Sequence, residues 1–432
     1  MKIDTFQIKN FRGLKDVKLD SLGSLVVMVG ASGAGKTSAL EALEIFFSNF
    51  DGTLEKNLGE VDDRYWFERN TPEPIEYELG IMLSPSEVES LPENLKNELG
   101  VTPRKRVVDI TARINYSSGG STWNTQPLLK KSEVEKTETP EGEQETQTEP
   151  PSESNFILAD SNEFYKLVTN QFYWIKGSRL VNSTSSVATW QRVPYSPPDV
   201  QSQLVRINNS DNQDDVEQYA NISKAFEAIL PDGCRLVFSN QEVHVLEGTH
   251  KFPLSLLGSG QQAFLYLLFE VIRYPDHVIA IEDPGLHLHP DLEKALFKFL
   301  RNLSNQVFLI THSPVFLDLD VIENNWIFTK EGTEVVVRKA KDRSDLKSLL
   351  DILGSEPVDA LYPNTVLIVE GSTEEKVIPI WLRKLGGDPN SPRLRVVVLE
   401  GDRDWRRAKE WIDLVKGLKQ KSICSLIQTQ WI

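Results

Sequence analysis

Apolar positions along this chain switch between a period of two and a helical period, and the switches mark out its elements. Near the start, Ile3, Phe6 and Ile8 lead into Asn10-Phe11-Arg12-Gly13, with Val17 and Leu19 beyond, which predicts a strand pair joined by a turn. Residues 26–29 are apolar without a break, as in a strand buried on both faces. Ala39, Leu40, Leu43, Phe46 and Phe47 then recur at helical spacing. Ile75, Tyr77, Leu79 and Ile81 alternate with Glu76, Glu78 and Gly80, predicting a half-buried strand, and a second strand is expected over 106–114. Residues 156–230 read less clearly. Aromatic patches (Phe164, Tyr165, Phe172, Tyr173, Trp174) give way to a Ser/Pro-rich stretch, with a helix expected over 214–229. Short strands are expected over 234–238 and 242–247.

From residue 254 the pattern becomes α/β. Residues 264–272 predict a buried helix, 278–281 and 307–310 short apolar strands, and Leu292, Ala295, Leu296, Phe299, Leu300 and Leu303 a helical stripe between them. Strand–helix–strand at this length implies parallel pairing with a right-handed crossover. Residues 346–363 read as a connector, and a βαβα pattern starts at Thr365.

Chemistry enters between the first apolar strand and its helix. Gly30, Ala31, Ser32, Gly33, Ala34, Gly35, Lys36 and Thr37 fill G-x-x-x-x-G-K-[ST] in the strand–loop–helix setting that a phosphate-binding loop needs. Glycines let backbone N–H groups face phosphate oxygens, and the positive end of the helix dipole faces the same anion. Lys36 is expected to reach the β/γ-phosphates and Thr37 a Mg2+ ion, so ATP and Mg2+ are the expected ligands. The strand over 278–281 ends in Glu282-Asp283-Pro284. One carboxylate there can hold the metal (Glu282) and its neighbour polarise the attacking water (Asp283). Thr311-His312-Ser313 closes the next strand, where His312 can sense the γ-phosphate or orient the water; a polar strand cap is the other reading. Leu257-Gly258-Ser259-Gly260-Gln261-Gln262 opens the buried helix and forms an anion site by the same physics as the phosphate loop.

The pieces GASGAGKT, LGSGQQ, IAIEDPGLHLHP and LITHSP, in that order, resemble the ABC-type ATPase heads of the SMC/RecF/OLD group, as does the opening IKNFRGLKDVKL. The resemblance implies an α/β fold with a mixed sheet and at least a dimer of heads. It implies that Ser259, Gly260 and Gln261 contact nucleotide on the opposite protomer, and that Arg12 lies near the nucleotide base. It also implies that His287 and His289 sit in a segment crossing the dimer interface; a His-x-His metal pair is the competing reading. Such heads usually carry a magnesium-linked glutamine some tens of residues after the phosphate loop. Here no Gln occurs between Thr37 and Gln126, so another side chain fills that place or the link from nucleotide to interface is altered.

The C-terminal LIVEGSTEEK resembles the first part of a Toprim domain, the metal-dependent DNA-cleaving module attached to OLD-family heads. By that resemblance Glu370 and Glu374 are candidate metal ligands. Asp402-Arg403-Asp404 has the spelling of the second Toprim acidic motif but arrives one strand early, and it reads better as the cap of a helix striped by Ala408, Trp411, Ile412 and Val415. Nothing after Asp413 is acidic, so the Toprim is expected to be partial and nuclease activity doubtful. The expected organisation is an ATPase head over 1–131 and 155–345, an acidic disordered linker over 132–154, the connector, and the partial Toprim over 364–432.

Bulk properties narrow this only modestly. Residues 132–154 hold eight glutamates and one hydrophobic residue, Val134, too little apolar surface to offset ordering entropy; an acidic partner-binding tail is the alternative. A net charge of −16 argues against broad nonspecific nucleic-acid binding without excluding a local basic face. Arg104-Lys105-Arg106 and the basic residues of 403–409 are candidate phosphate contacts or plain surface charge. Two cysteines without CxxC spacing, an N-terminus unlike a signal peptide and no apolar run near about 18 residues point to a cytoplasmic location without a membrane span. The function read from these residues is ATP-driven head dimerisation that controls DNA engagement or a nuclease module, by family resemblance in phage defence. The alternatives are a RecF/SMC-like repair factor and a regulatory ATPase that activates a separate nuclease or effector.

Overall fold

The computed structural model describes residues 1–48, 65–114, 128–130, 156–158, 164, 167–168, 171–176, 197–230, 234–239, 242–342, 344–353, 365–369, 372–385, 394–398 and 425–427. They fall into two compact units, Met1–Asp345 and Leu346–Ile432. The acidic stretch 132–154, Glu370, Asp402, Asp404 and the expected stripe over 408–415 lie outside the described residues.

The first unit is built on two six-stranded sheets. One is antiparallel, in the order β2 (Leu14–Leu19), β1 (Lys2–Phe11), β4 (Ile75–Met82), β5 (Val107–Ile114), β6 (Leu128–Lys130), β7 (Phe156–Leu158). The other is mixed, in the order β15 (Glu334–Lys339), β14 (Asn325–Glu331), β3 (Leu25–Gly30), β13 (Gln306–Ile310), β12 (Val278–Glu282), β8 (Phe172–Ile175). Only the β14–β15 pair is antiparallel in this second sheet. A small antiparallel sheet orders β11 (His250–Pro253), β10 (Glu242–Glu247) and β9 (Arg235–Ser239). Helix α1 (Lys36–Ser48) follows β3; α2 (Pro85–Ser90) and α3 (Glu93–Leu99) separate β4 from β5; α4 (Pro197–Asn208) and α5 (Gln213–Ile229) precede β9; α6 (Ser259–Arg273) precedes β12, and α7 (Pro290–Arg301) crosses from β12 to β13.

Helix α1 is sandwiched between the two large sheets. Its Ala39, Leu40, Ala42, Leu43, Phe46 and Phe47 share one core with Phe6, Ile8, Tyr77 and Leu79 of the antiparallel sheet and with Met28, Ala280, Phe308 and Phe328 of the mixed sheet. Burial of each large side chain contributes about 1.5–3 kcal/mol, so the helix that carries the phosphate loop is fixed by the main core. The sheets are also stitched by a buried amide. Gln306 on β13 accepts from the Ile3 N–H at 2.7 Å and donates to the Ile3 and Gly23 carbonyls at 2.7 and 2.9 Å. That accounts for a polar residue with 1% exposure.

The strand pair at the N-terminus, the alternating strand at 75 and the parallel β12–α7–β13 unit follow the sequence pattern. Three elements differ from it. Residues 172–175 form β8, an edge strand of the central sheet, where the pattern gave only aromatic patches. Residues 325–339 form the β14–β15 hairpin, turning at Gly332 with φ +64°. The expected connector begins as a helix, α8 (Ser344–Ile352), with Leu349 and Leu350 buried; its apolar residues recur at helical spacing but over too few turns to stand out.

In the second unit β17 (Leu394–Val398), β16 (Thr365–Val369) and β18 (Ser425–Ile427) form a parallel sheet with β16 central, and α9 (Ser372–Lys384) links β16 to β17. Pro379 lies inside α9. No helix among the described residues is long and apolar enough to cross a membrane.

One buried acidic side chain is expected to make the stability of the first unit depend on pH. Glu270, in the middle of α6, has no exposed surface and accepts a 2.5 Å hydrogen bond from the Tyr173 hydroxyl. Burial raises its pKa, opposed by that hydrogen bond and by Arg273. The folded state therefore holds the proton more tightly than the unfolded chain, and stability falls as pH rises from the ordinary carboxylate range through the raised pKa. Glu270→Gln is expected to flatten that slope, narrowing the difference in Tm between about pH 5 and about pH 8. An unchanged difference in thermal melts would remove Glu270 as its source.

Candidate functional site

The carboxyl ends of β3, β13 and β12 converge on the phosphate loop. Parallel register sets Met28 beside Ile310, and Ile310 beside Glu282, so the acidic end of β12 reaches the level of the loop with one strand between. Residues 31–33 form an exposed rim, while Lys36 and Ala34 are buried. Gly35 holds φ at +91°, and a Cβ there would stand 2.7 Å from the Val335 Cγ2 methyl of β15. Only glycine meets both constraints.

Lys36 folds back over its own loop, donating from Nζ to the Gly30 and Ala31 carbonyls at 2.7 and 3.0 Å. Burial holds its pKa below the usual lysine value, and Asp283 and then Glu282 pull it back up. The Thr37 hydroxyl donates to Glu282 Oε1 at 2.8 Å, across 245 residues of sequence. A hydroxyl and a carboxylate form a hard-oxygen pair of the kind Mg2+ takes; Thr37 and Glu282 would hold it, and it would neutralise phosphate charge there.

Asp283 leaves the strand in a left-handed conformation, φ +47°, with its N–H donating to Ile310 O at 2.8 Å. His287, four residues on, is left-handed too, φ +68°. Conformations of this kind cost about 1–3 kcal/mol each in side-chain-bearing residues and collect at functional sites. His312 follows β13, the strand between the loop and the acidic pair, and is exposed. The neighbouring Ser313 hydroxyl is spent on Glu293 Oε2 at 2.7 Å.

Arg12 sits in the β1–β2 turn with φ +51°. It forms a two-pronged ion pair with Glu41 of α1 at 2.5 and 2.6 Å and lies over the Tyr65 ring, 5.0 Å from its centre. It therefore flanks the phosphate-loop helix, with its guanidinium engaged. Ser259, Gly260 and Gln261 open α6, and Gln261 Oε1 accepts from the Gly258 N–H at 3.3 Å. A Cβ on Gly260 would stand 2.7 Å from the His287 carbonyl oxygen. The LGSGQQ turn is thus pressed against the segment that continues from Asp283. His289 caps α7, its Nδ1 accepting from the Asp291 N–H at 3.4 Å.

Glu374 lies on α9, while Glu370 falls outside the described residues. Of the basic run at 104–106, Arg106 spends Nη1 on the Leu83 carbonyl at 3.2 Å. The sequence reading missed a second charged pair on α1: Lys176, just past β8, lies 3.1 Å from Glu44 Oε2. Burial raises the pKa of Glu44, with Lys176 opposing. An aromatic run followed by a lysine was the only signal for it.

Comparison with known proteins places these features in a family. The chain is 24% identical over 198 residues to the OLD nuclease of Thermus scotoductus, covering 42% of this chain and 36% of that protein. It is 24% identical over 216 residues to the Old nuclease of Escherichia phage P2, covering 45% and 36%, and 30% identical over 139 residues to an uncharacterized protein of Methanocaldococcus jannaschii, covering 30% and 17%. The chain thus spans 36% or less of the length of these relatives. Among solved structures it is similar to the SMC head domain from Thermotoga maritima (12% identity, TM-score 0.45, covering 79% of this chain and 100% of that one). It is also similar to an Smc head bound to the C-winged helix domain of ScpA (13%, 0.49, 80% and 100%). Residues 25–318, well over half of the chain and including the phosphate loop, the LGSGQQ turn, the acidic pair and His312, match the family described as "AAA domain, putative AbiEii toxin, Type IV TA system", and the chain belongs to that family of AAA ATPase domains.

Proposed function

We propose that the chain binds and hydrolyses ATP with Mg2+, that ATP draws two copies together head to head, and that this pairing controls DNA engagement or an attached or separate nuclease or effector. The observation carrying the reading is the Thr37–Glu282 hydrogen bond, which assembles metal-binding oxygens from opposite ends of the family domain beside a buried lysine.

In the proposed mechanism Lys36 exchanges its loop carbonyls for β- and γ-phosphate oxygens, and backbone N–H groups of residues 33–37 face the same anion. Thr37 and Glu282 would hold the metal, whose positive charge would offset that of the phosphates. Asp283 takes a proton from the attacking water as its oxygen bonds to the γ-phosphorus and the bond to ADP breaks; His312 orients that water. Ser259, Gly260 and Gln261 cap the γ-phosphate held by the partner copy, and Arg12 lines the base side. The contact of Gly260 with His287 supports coupling between the two half-sites, because it ties the LGSGQQ turn to the segment leaving Asp283. Similarity to two proteins named OLD nucleases supports a nucleic acid as the object of control. The strand–helix–strand order of the second unit fits a Toprim-like module, in which, by the resemblance of LIVEGSTEEK, Glu370 and Glu374 would be the metal ligands.

Lys36→Ala is expected to lower ATP turnover by about 100-fold or more; unchanged hydrolysis by the purified variant would remove the site assignment. Asp283→Asn is expected to keep ATP affinity, slow turnover by about 100-fold and accumulate an ATP-bound dimer in sedimentation runs. Loss of ATP binding instead would mark Asp283 as structural. Ser259→Arg should be inactive alone and recover turnover when mixed with Lys36→Ala, since a mixed dimer keeps one intact composite site. Failure of every mixing ratio to restore turnover would contradict the shared site.

A further inference from the structure

The resemblance to ABC-type heads implies a glutamine linking nucleotide to the dimer interface, residues 38–125 contain none, and β8 is placed to supply another link. It runs parallel to β12 with Ile175 beside Ile281, so Lys176 emerges next to Glu282, at the end of the sheet where Lys36 and Thr37 converge. The two faces of β8 meet different helices. On one, Phe172 stacks on Phe47 of α1 (ring centres 5.7 Å apart, 9° between planes), and Lys176 Nζ lies 3.1 Å from Glu44 of α1 and 4.3 Å from the centre of the Trp174 ring. On the other, the Tyr173 hydroxyl donates to Glu270 of α6 at 2.5 Å, and its ring lies 4.2 Å from that of Tyr274, the residue after α6. One four-residue strand therefore joins the helix that starts at the phosphate loop to the helix that starts at Ser259.

The charges on α1 are held unequally. Arg12 grips Glu41 with two prongs and a ring contact. Lys176 also lies over a ring, that of Trp174, but it holds Glu44 through one prong only, with both side chains 30% exposed. A flexible ammonium with three rotatable donors can exchange partners where a guanidinium fork cannot easily do so. A polyphosphate bound beside Glu282 would offer that ammonium a second anionic partner.

We propose that Lys176 is the nucleotide-responsive residue of this ATPase: it transfers from Glu44 to the terminal phosphate of bound ATP, and β8 carries the shift through Tyr173 and Glu270 to the helix bearing Ser259, Gly260 and Gln261. The proposal rests on the reading of the site as an ATPase whose heads pair. It assigns to a cation on the sheet edge the link that the absent glutamine would otherwise provide.

The test compares full-length wild type with Lys176→Met, Lys176→Arg, Tyr173→Phe and Glu44→Gln. It measures affinity for a fluorescent ATP analogue, kcat and KM, ATP-dependent self-association, and amide exchange at residues 259–262. Lys176→Met is expected to bind nucleotide within about threefold of wild type while kcat and association fall about tenfold, the size of an ordinary coupling between sites. Lys176→Arg should recover most of both. Tyr173→Phe should keep nucleotide affinity yet lose the ATP-induced protection at 259–262. Glu44→Gln, which frees the ammonium, should associate at lower ATP concentration, and it serves as the test if Lys176→Met fails to fold. Wild-type behaviour of Lys176→Met, or of Glu44→Gln, overturns the proposal while leaving the ATPase reading intact. Loss of nucleotide affinity together with a lowered Tm in Lys176→Met also overturns it, because the lysine would then be structural. A wild-type chain that neither hydrolyses ATP nor associates with it overturns the parent reading instead.

Discussion

The parallel register of β3, β13 and β12 is the constraint on which the rest of the first unit depends. Each strand is apolar because both faces are covered, and each ends at the same edge of the sheet, so three loops from distant parts of the chain emerge together. The 2.8 Å hydrogen bond between Thr37 and Glu282 is the consequence. A slip of one residue between these strands would turn every side chain to the other face and separate the two groups. The β12–α7–β13 crossover and the burial of α1 between the sheets hold that register.

Charge at this edge is handled by pairing. Lys36 is buried against its own loop, with two carboxylates close enough to favour its charged form against desolvation. Glu41 and Glu44, half-buried on α1, are each held by one cation from a different element. Pairs with this exposure contribute little stability, about 1 kcal/mol at most. They nevertheless fix the direction of the first β-turn and the end of β8 relative to α1. Glu270 is the costly exception, a fully buried carboxylate with a single hydroxyl donor and an arginine one turn away. A group so expensive to bury reads more naturally as part of a linkage than as a source of stability.

The second unit follows the same α/β logic on a smaller scale. Its strands are parallel and its helix crosses between them, so Ile378 is buried. Trp381, three positions further along that helix, and Leu385 just past its end remain 58% and 84% exposed. The spacing that places residues on one helical face says nothing about whether a partner surface covers all of it.

Local pattern determined the elements whose signal is local. The alternation at 1–20 and 75–81, the helical stripe after Lys36 and the apolar runs at 26–29, 278–281 and 307–310 are all legible because period and length differ between strand and helix. The phosphate-loop spelling, the acidic pair and the LGSGQQ turn were legible for the same reason, each being a short motif in a recognisable setting. Tertiary structure alone decided what lies beside what. Nothing in FYWIK shows that it closes the edge of the central sheet, because four aromatic and β-branched residues suit a core helix or a strand equally well. The pairings of Lys176 with Glu44, Arg12 with Glu41 and Tyr173 with Glu270 join positions 29 to 132 residues apart. Strand order sets those neighbours, and strand order comes from packing the whole chain, which no local period encodes.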